Sequence, residues 1–368
     1  MNGPEIQHLI ENDLRRAVAR HGTSPHPEPV QVSPWVAMSL MQKSIRRGRE
    51  DLAMRAAAAL LRDAPERLWR RLGCIAPEDI GLADRDVVRL ATAALAGKRL
   101  RAELGGEWKV ASCVVAELAR APKCRAADDL LMVCEVHPAY ARQRSELRGL
   151  RPRELVEIVC GSGSAHERAL ALWCALGGGS RSLGYARPRG EAQSVFDHLC
   201  EAGWPHSIVE IARRGYRSAG ELLSPFVAFL SRELTEPVRE KADQFPPEVM
   251  IGDVPGWVYD LHTREGRAAF ARFLQTDAAS ATWLRNYVEP GRRVPFLGHM
   301  VFRVEGGLVD RRLRWSLGDR LRWEGDIECS GPECRDASNI LELVRKDIPR
   351  LNEVRTEVIR GAHLVDGV

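Results

Sequence analysis

The chain has 368 residues, of which 45% are hydrophobic and 28% charged, a size and balance that give two soluble globular domains, three at most. No stretch reaches the roughly 18 uninterrupted apolar residues of a membrane span, so no membrane association is expected. The net charge of +4 is compatible with a polyanionic partner without requiring one.

Taken in chain order, residues 6–20 place Ile6, Leu9, Ile10, Leu14 and Val18 at helical spacing, with acids early and arginines late as the helix dipole prefers. The opening MNGPEIQHLIENDLRR lacks the apolar h-region of a secretory leader, and a cytoplasmic location is expected. Prolines 25, 27, 29 and 34 forbid a continuing helix, so residues 1–34 read as one helix and a tether. Ser33 followed by Pro34 resembles an N-cap with proline at N1. Beyond it Trp35, Met38, Leu40, Met41 and Ile45 supply a buried stripe that ends near Gly48. The Ala-rich run 51–61 suits close helix packing, Pro65 begins a further helix, and Gly81 stops it. Asp84 or Asp86 can cap the helix that follows, and residues 108–119 form another.

Residues 128–140, 153–159 and 167–176 also read as helices. The Gly/Ser-rich run 177–190 has little to bury and marks a domain boundary near Gly178. Further helices are expected over 191–202, 207–213, 219–234, 238–244, 262–275 and 278–288. Residues 296–322 fit either a hairpin turning at Gly306 and Gly307 or two helices joined there, and the helical surroundings favour helices. An amphipathic segment over 339–358, interrupted by Pro349, completes the pattern. The fold class is therefore all-α, with domains at 35–177 and 178–368.

Little in the chain spells out a reaction. Nine cysteines, an odd number with no C-x-x-C pair, argue for reduced thiols. Cys329 and Cys334 form the one close pair and have no companion pair at zinc-ligand spacing, so neither metal nor cofactor is expected. No G-x-x-x-x-G-K-[ST] occurs. The nearest string, ALAGKRL at 94–100, lacks the first glycine and the hydroxyl after Lys98, which excludes a P-loop ATPase. The glycine clusters at 161–163 and 177–179 match neither a dinucleotide fingerprint nor a nucleophile elbow. The neighbours Glu78/Asp79 and Asp128/Asp129 point about 100° apart on a helix and would not converge on a substrate.

Two other constellations are candidates. In WVYDLHTREGRAAFARFL (257–274), Asp260 can cap a helix. His262, Thr263, Arg264 and Arg267 would then lie in its first turns, where backbone N–H groups and guanidiniums suit a phosphate. His262 would be the acid or base of an enzyme acting on a phosphorylated or nucleotide substrate. Further on, Arg292, Arg293, Arg303, Arg311, Arg312, Arg314, Arg320 and Arg322 accumulate around Trp315 and Trp323, a pattern suited to a nucleic-acid backbone with stacked bases. Only six of the 54 basic residues are Lys, leaving 48 Arg. The planar Arg fork suits phosphate, although abundant Ala, Arg and Gly also match a GC-rich coding bias.

The segment 35–84 carries a resemblance. Ser39, Leu40, Lys43, Ser44, Ile45 and Arg46, then the run Ala56 to Leu61, then Ala76, Glu78, Asp79, Ile80, Gly81, Leu82, Ala83 and Asp84 follow the order and spacing of a known region. It is the C-terminal helical region of the replication-associated recombination AAA+ ATPases (RarA/MgsA). The match covers about 35–137, with specific motifs only up to Asp84. Gln42 stands where that family has His, Pro77 stands where it has Ser, and its closing Tyr-Pro-His-Asp-type segment is missing. The resemblance implies a clamp-loader-like helical collar, with Lys43, Arg46, Arg70, Arg71, Glu78 and Asp79 making intersubunit or interhelical ion pairs. It further implies a non-enzymatic, homo-oligomeric protein of DNA replication or repair that contacts forked or single-stranded DNA or an AAA+ partner. The alternatives are the phosphate-substrate enzyme above and a protein-interaction scaffold.

Overall fold

A computed structural model of the chain describes residues 3–22, 24–178, 189–220, 222–330 and 336–365. It is an all-α, multi-helical protein, 73% helical, with 19 α-helices and a few short strands among the described residues. The boundary expected near Gly178 falls largely outside the described residues, as does Cys334. No helix is long and apolar enough to cross a membrane among the described residues.

The chain forms two compact units, each drawn from three separate segments rather than laid end to end. The first comprises residues 1–24, 69–240 and 312–331, and the second residues 25–68, 241–311 and 332–368. The division falls inside the Pro65–Ile75 helix, so the segment 35–84 is shared between the two.

In the first unit, the Ala126–Val136 helix packs against Leu223–Glu233 and Ser316–Asp326, and the Pro152–Cys160 helix against Ala165–Ala175. Local chemistry sets the starts. The Asp84 carboxylate accepts from the Asp86 and Val87 amides at 3.1 and 3.0 Å, and Ser164 with Glu167 forms a capping box. After the Pro65–Ile75 helix the backbone widens into a π-helical turn, Ala76–Ile80, that ends at Gly81. Gly81 has φ +50°, and a Cβ there would lie 2.7 Å from the Cys124 carbonyl oxygen, so only glycine fits.

In the second unit, the Ala337–Val365 helix packs against Arg264–Phe273, Ala279–Tyr287 and Arg293–Val301. Pro349 lies inside it without interrupting it. Ile340, Val344, Ile348, Leu351 and Val354 bury one continuous stripe on both sides of the proline, and this packing outweighs the one backbone bond that proline removes. The Pro34–Arg46 helix starts as expected, with Ser33 Oγ accepting from the Val36 amide at 3.4 Å and Pro34 in the first turn, and packs against Glu50–Asp63.

Two other stretches differ from their expected form. Residues 238–244 are not helical; prolines 237, 246 and 247 bracket them, and residues 239–241 form an exposed strand. The Asp243 amide donates to the Val309 carbonyl (3.1 Å) and its carboxylate accepts from the Val309 amide (2.9 Å). Residues 296–322 are helical at both ends, but the join is a π-helical turn, Phe302–Gly306, followed by extended chain with a short strand, Arg312–Arg314.

Candidate functional site

On the Pro34–Arg46 helix, Ser39, Lys43 and Arg46 recur at intervals of four and three, so they share one face with Arg47 just beyond it. All four side chains are spent on the interior of the second unit. Ser39 Oγ donates to the Val258 carbonyl at 2.7 Å. Lys43 Nζ donates to the Trp257 carbonyl at 2.6 Å and to Asp260 Oδ2 at 2.7 Å. Arg46 donates to the Gly306 carbonyl and Arg47 to the Glu305 carbonyl, each at 2.8 Å. The Arg47 guanidinium lies over the rings of Trp257 (4.4 Å) and Phe245 (4.9 Å). From the other side Arg355, fully buried, holds the Glu305 carboxylate at 2.8 and 3.2 Å. The motif residues therefore fasten the 256–260 and 302–306 segments to one helix.

Burial pushes the Lys43 ammonium down to about 8, with Asp260 opposing the shift. Burial would raise Asp260, but the charge and hydrogen bond of Lys43 prevail and hold the carboxyl down to about 2. Asp260 Oδ1 accepts from the His262 amide at 2.8 Å, and Oδ2 also takes the Ser39 hydroxyl at 3.3 Å. Asp260 does not cap the following helix; Thr263 does, its Oγ1 accepting from the Gly266 amide at 3.0 Å and donating to the Asp260 carbonyl at 3.0 Å. The reason is spacing, since the helix begins at Arg264 and the cap is the residue before it. Gly266 is required, because a Cβ there would lie 2.0 Å from the Asp260 carbonyl oxygen.

A basic rim stands on this locked turn. His262, Arg264 and Arg267 are exposed, and the Arg267 guanidinium folds back onto the Leu261 carbonyl at 3.1 Å. Partial burial, with Arg303 and His262 nearby, lowers the affinity of His299 for its proton, so this neighbouring imidazole adds no positive charge to the rim at neutral pH. Asp260 meets the His262 backbone rather than its imidazole, so the pair is not arranged as a carboxylate-oriented general base. Comparison with protein-family models, with curated proteins and with solved structures finds no match.

The other motif residues belong to the first unit. Arg70 is exposed and Arg71 half-buried. Glu78 and Asp79 do converge, although not on a substrate. The π-helical winding lets both reach the buried Arg125 guanidinium, with Glu78 at 3.3 Å and Asp79 and Asp128 closer. The carboxylates drive Arg125 well above its ordinary value against burial, which acts to lower it.

The eight arginines and two tryptophans expected as one patch divide between the units, with Arg292, Arg293, Arg303 and Arg311 in the second and the others in the first. Trp315 is 4% exposed and Trp323 54%, so only the latter offers a surface ring. Arg312 is buried. Arg314 pairs with Asp319, Arg320 with Glu324 (2.7 Å) and Arg322 with Asp326 (3.6 Å), which offsets the positive charge of that stretch. Sequence reasoning missed a second polar cluster in the first unit. There Tyr140 lies against His137 and His166, ring centroids 5.0 and 5.4 Å away, and those imidazoles contact Glu328 (2.6 Å) and Glu324 (2.7 Å). Ser39, Glu305 and Arg355 were also missed as site residues. The signal for the first was the polar stripe at helical spacing; the other two carried none.

Proposed function

We propose that this chain is a non-enzymatic, DNA-binding protein of replication or repair, and that it takes nucleic-acid phosphates on the basic rim of His262, Arg264 and Arg267. The observation that carries this reading is the placement of three exposed basic side chains in sequence register on a turn that Lys43 and Asp260 hold rigid. Phosphate recognition gains from such preorganisation because less side-chain and backbone entropy is lost on binding. The resemblance of residues 35–84 to the collar of the replication-associated recombination ATPases adds the biological setting. It also supplies the partners: further copies of this chain and an AAA+ ATPase.

The reading is tested by titrating the full chain with single-stranded, forked and duplex DNA over a range of salt concentrations, with light scattering for mass. Binding whose affinity falls linearly with the logarithm of salt concentration, by a multimer, is the expected result. A monomer that binds none of the three DNAs at low salt overturns it.

A further inference from the structure

The Ala279–Tyr287 helix ends in an aromatic ladder that rises from the core of the second unit to its surface. Phe296 is buried, Trp283 stacks on it with centroids 6.5 Å apart and planes 25° apart, and Tyr287 leans on Trp283 at 5.1 Å. Tyr287 is 67% exposed, the most of any large hydrophobic side chain among the described residues. A ring anchored on one side by a second ring and open on the other is held ready without being covered.

The adjoining sequence is rich in arginine. Between residues 279 and 303 the chain carries Arg285, Arg292, Arg293 and Arg303 against the single carboxylate of Glu289. Arg293 is fixed next to the ladder: its Nε donates to the Val288 carbonyl and its Nη2 to the Arg285 carbonyl, each at 2.8 Å. These bonds bracket Tyr287 in the chain and leave Arg293 Nη1 without a protein partner among the described residues. Arg285 is likewise held, by the Leu274 and Thr276 carbonyls at 2.5 and 2.7 Å. No carboxylate is paired with Arg285 or Arg293 to cancel their charge among the described residues. An open aromatic face beside fixed guanidiniums is the arrangement that holds an unpaired base and its phosphate, since every base has a flat face and each nucleotide a negative charge.

We infer that Tyr287, supported by Trp283, is a stacking platform for an unpaired base of a single-stranded nucleic acid, with Arg293 taking the adjoining phosphate. This rests on the nucleic-acid reading above and sharpens it, because stacking demands a base that a duplex does not offer.

The test compares a short oligothymidylate with an abasic strand of the same length, which keeps the phosphates and lacks the bases. Wild-type protein is expected to bind the oligothymidylate roughly tenfold more tightly than the abasic strand, the effect of about one stacked base. Tyr287→Ala is expected to erase that difference and bind both strands as wild type binds the abasic one, while Tyr287→Phe retains it. An oligouridylate arm distinguishes DNA from RNA as the source of the base, and a preference for either over its abasic counterpart supports the platform. If wild type binds both strands equally, or Tyr287→Ala keeps the preference, the platform is overturned and phosphate binding stands. If wild type binds neither strand, the platform is overturned, and the nucleic-acid reading falls with it only if forked and duplex DNA are unbound as well. Since Tyr287 is mostly exposed, an unchanged thermal midpoint is expected and separates loss of stacking from loss of fold.

Discussion

The Lys43 ammonium lies 2.7 Å from the Asp260 carboxylate, joining a residue of the 35–84 segment to a residue of the phosphate-site candidate. The two stretches are far apart in sequence and carry unrelated patterns, and in the folded chain they are hydrogen-bonded to each other. Lys43 is buried, whereas the Asp260 side chain keeps 20% of its surface exposed, so the ammonium depends on the pair more than the carboxylate does.

Lys43→Met removes the ammonium and leaves the partly exposed Asp260 carboxylate with one hydroxyl and one amide. A loss of roughly 2–3 kcal/mol, less than for a fully buried pair, is expected, seen as a lower denaturant midpoint for the transition that includes the second unit. Lys43→Met combined with Asp260→Asn is expected to recover part of that loss. Additive losses in the double variant would show that the pair is not coupled.

Acid acts on two carboxyls with opposite sign. Asp260, held down to about 2 from an ordinary 3.8, contributes stability that is fully present above 3.8 and is lost as pH falls toward 2. Asp129 is raised to about 6 by burial, with Asp326 adding to the rise and Arg125 opposing it. The folded chain therefore holds a proton there that the unfolded chain releases, and stability falls as pH rises from about 4 to 6. Asp129→Asn is expected to be more stable than wild type by roughly 1–2 kcal/mol at pH 7 and equal to it below pH 4. Thermal melts of both proteins across that range decide it; a gain that grows toward low pH contradicts the assignment.

Gly81→Ala places a methyl group 2.7 Å from the Cys124 carbonyl at a backbone angle that side chains avoid. The expected cost is about 1–3 kcal/mol. Hydrogen exchange should show the loss first at the Cys124 amide, which donates to the Asp79 carbonyl at 2.9 Å.

Arg264→Glu with Arg267→Glu is expected to weaken DNA binding strongly and to reduce the slope of log affinity against log salt by about two. The same double change should leave the thermal midpoint nearly unmoved, since both side chains are exposed. An unaltered slope places the phosphate contacts elsewhere.

Much of the local structure was legible because its causes are local. Ser33 with Pro34 and Asp84 before the next helix specify their caps within a few residues. The misreadings share a cause at longer range. Pro349 reads as a break until the buried stripe on both sides of it is known, and residues 238–244 read as helix until Val309 is known to bond Asp243. Asp260 reads as a helix cap from its local sequence, whereas its partner, Lys43, stands 217 residues earlier in the chain. Tyr287 escaped notice because nothing in sequence tells an exposed aromatic from a buried one on an amphipathic helix.

The chain passes between its two units five times on its way from residue 24 to residue 332. No single cut can therefore release either unit whole, and an expression fragment ending before residue 337 lacks the helix that closes the second core. During synthesis the early Pro34–Arg46 helix must wait, with Lys43 and Arg46 hydrated, until residues 257 to 306 have been made. Such distant pairings are expected to slow folding, leaving apolar surface uncovered until the last third of these residues has been made.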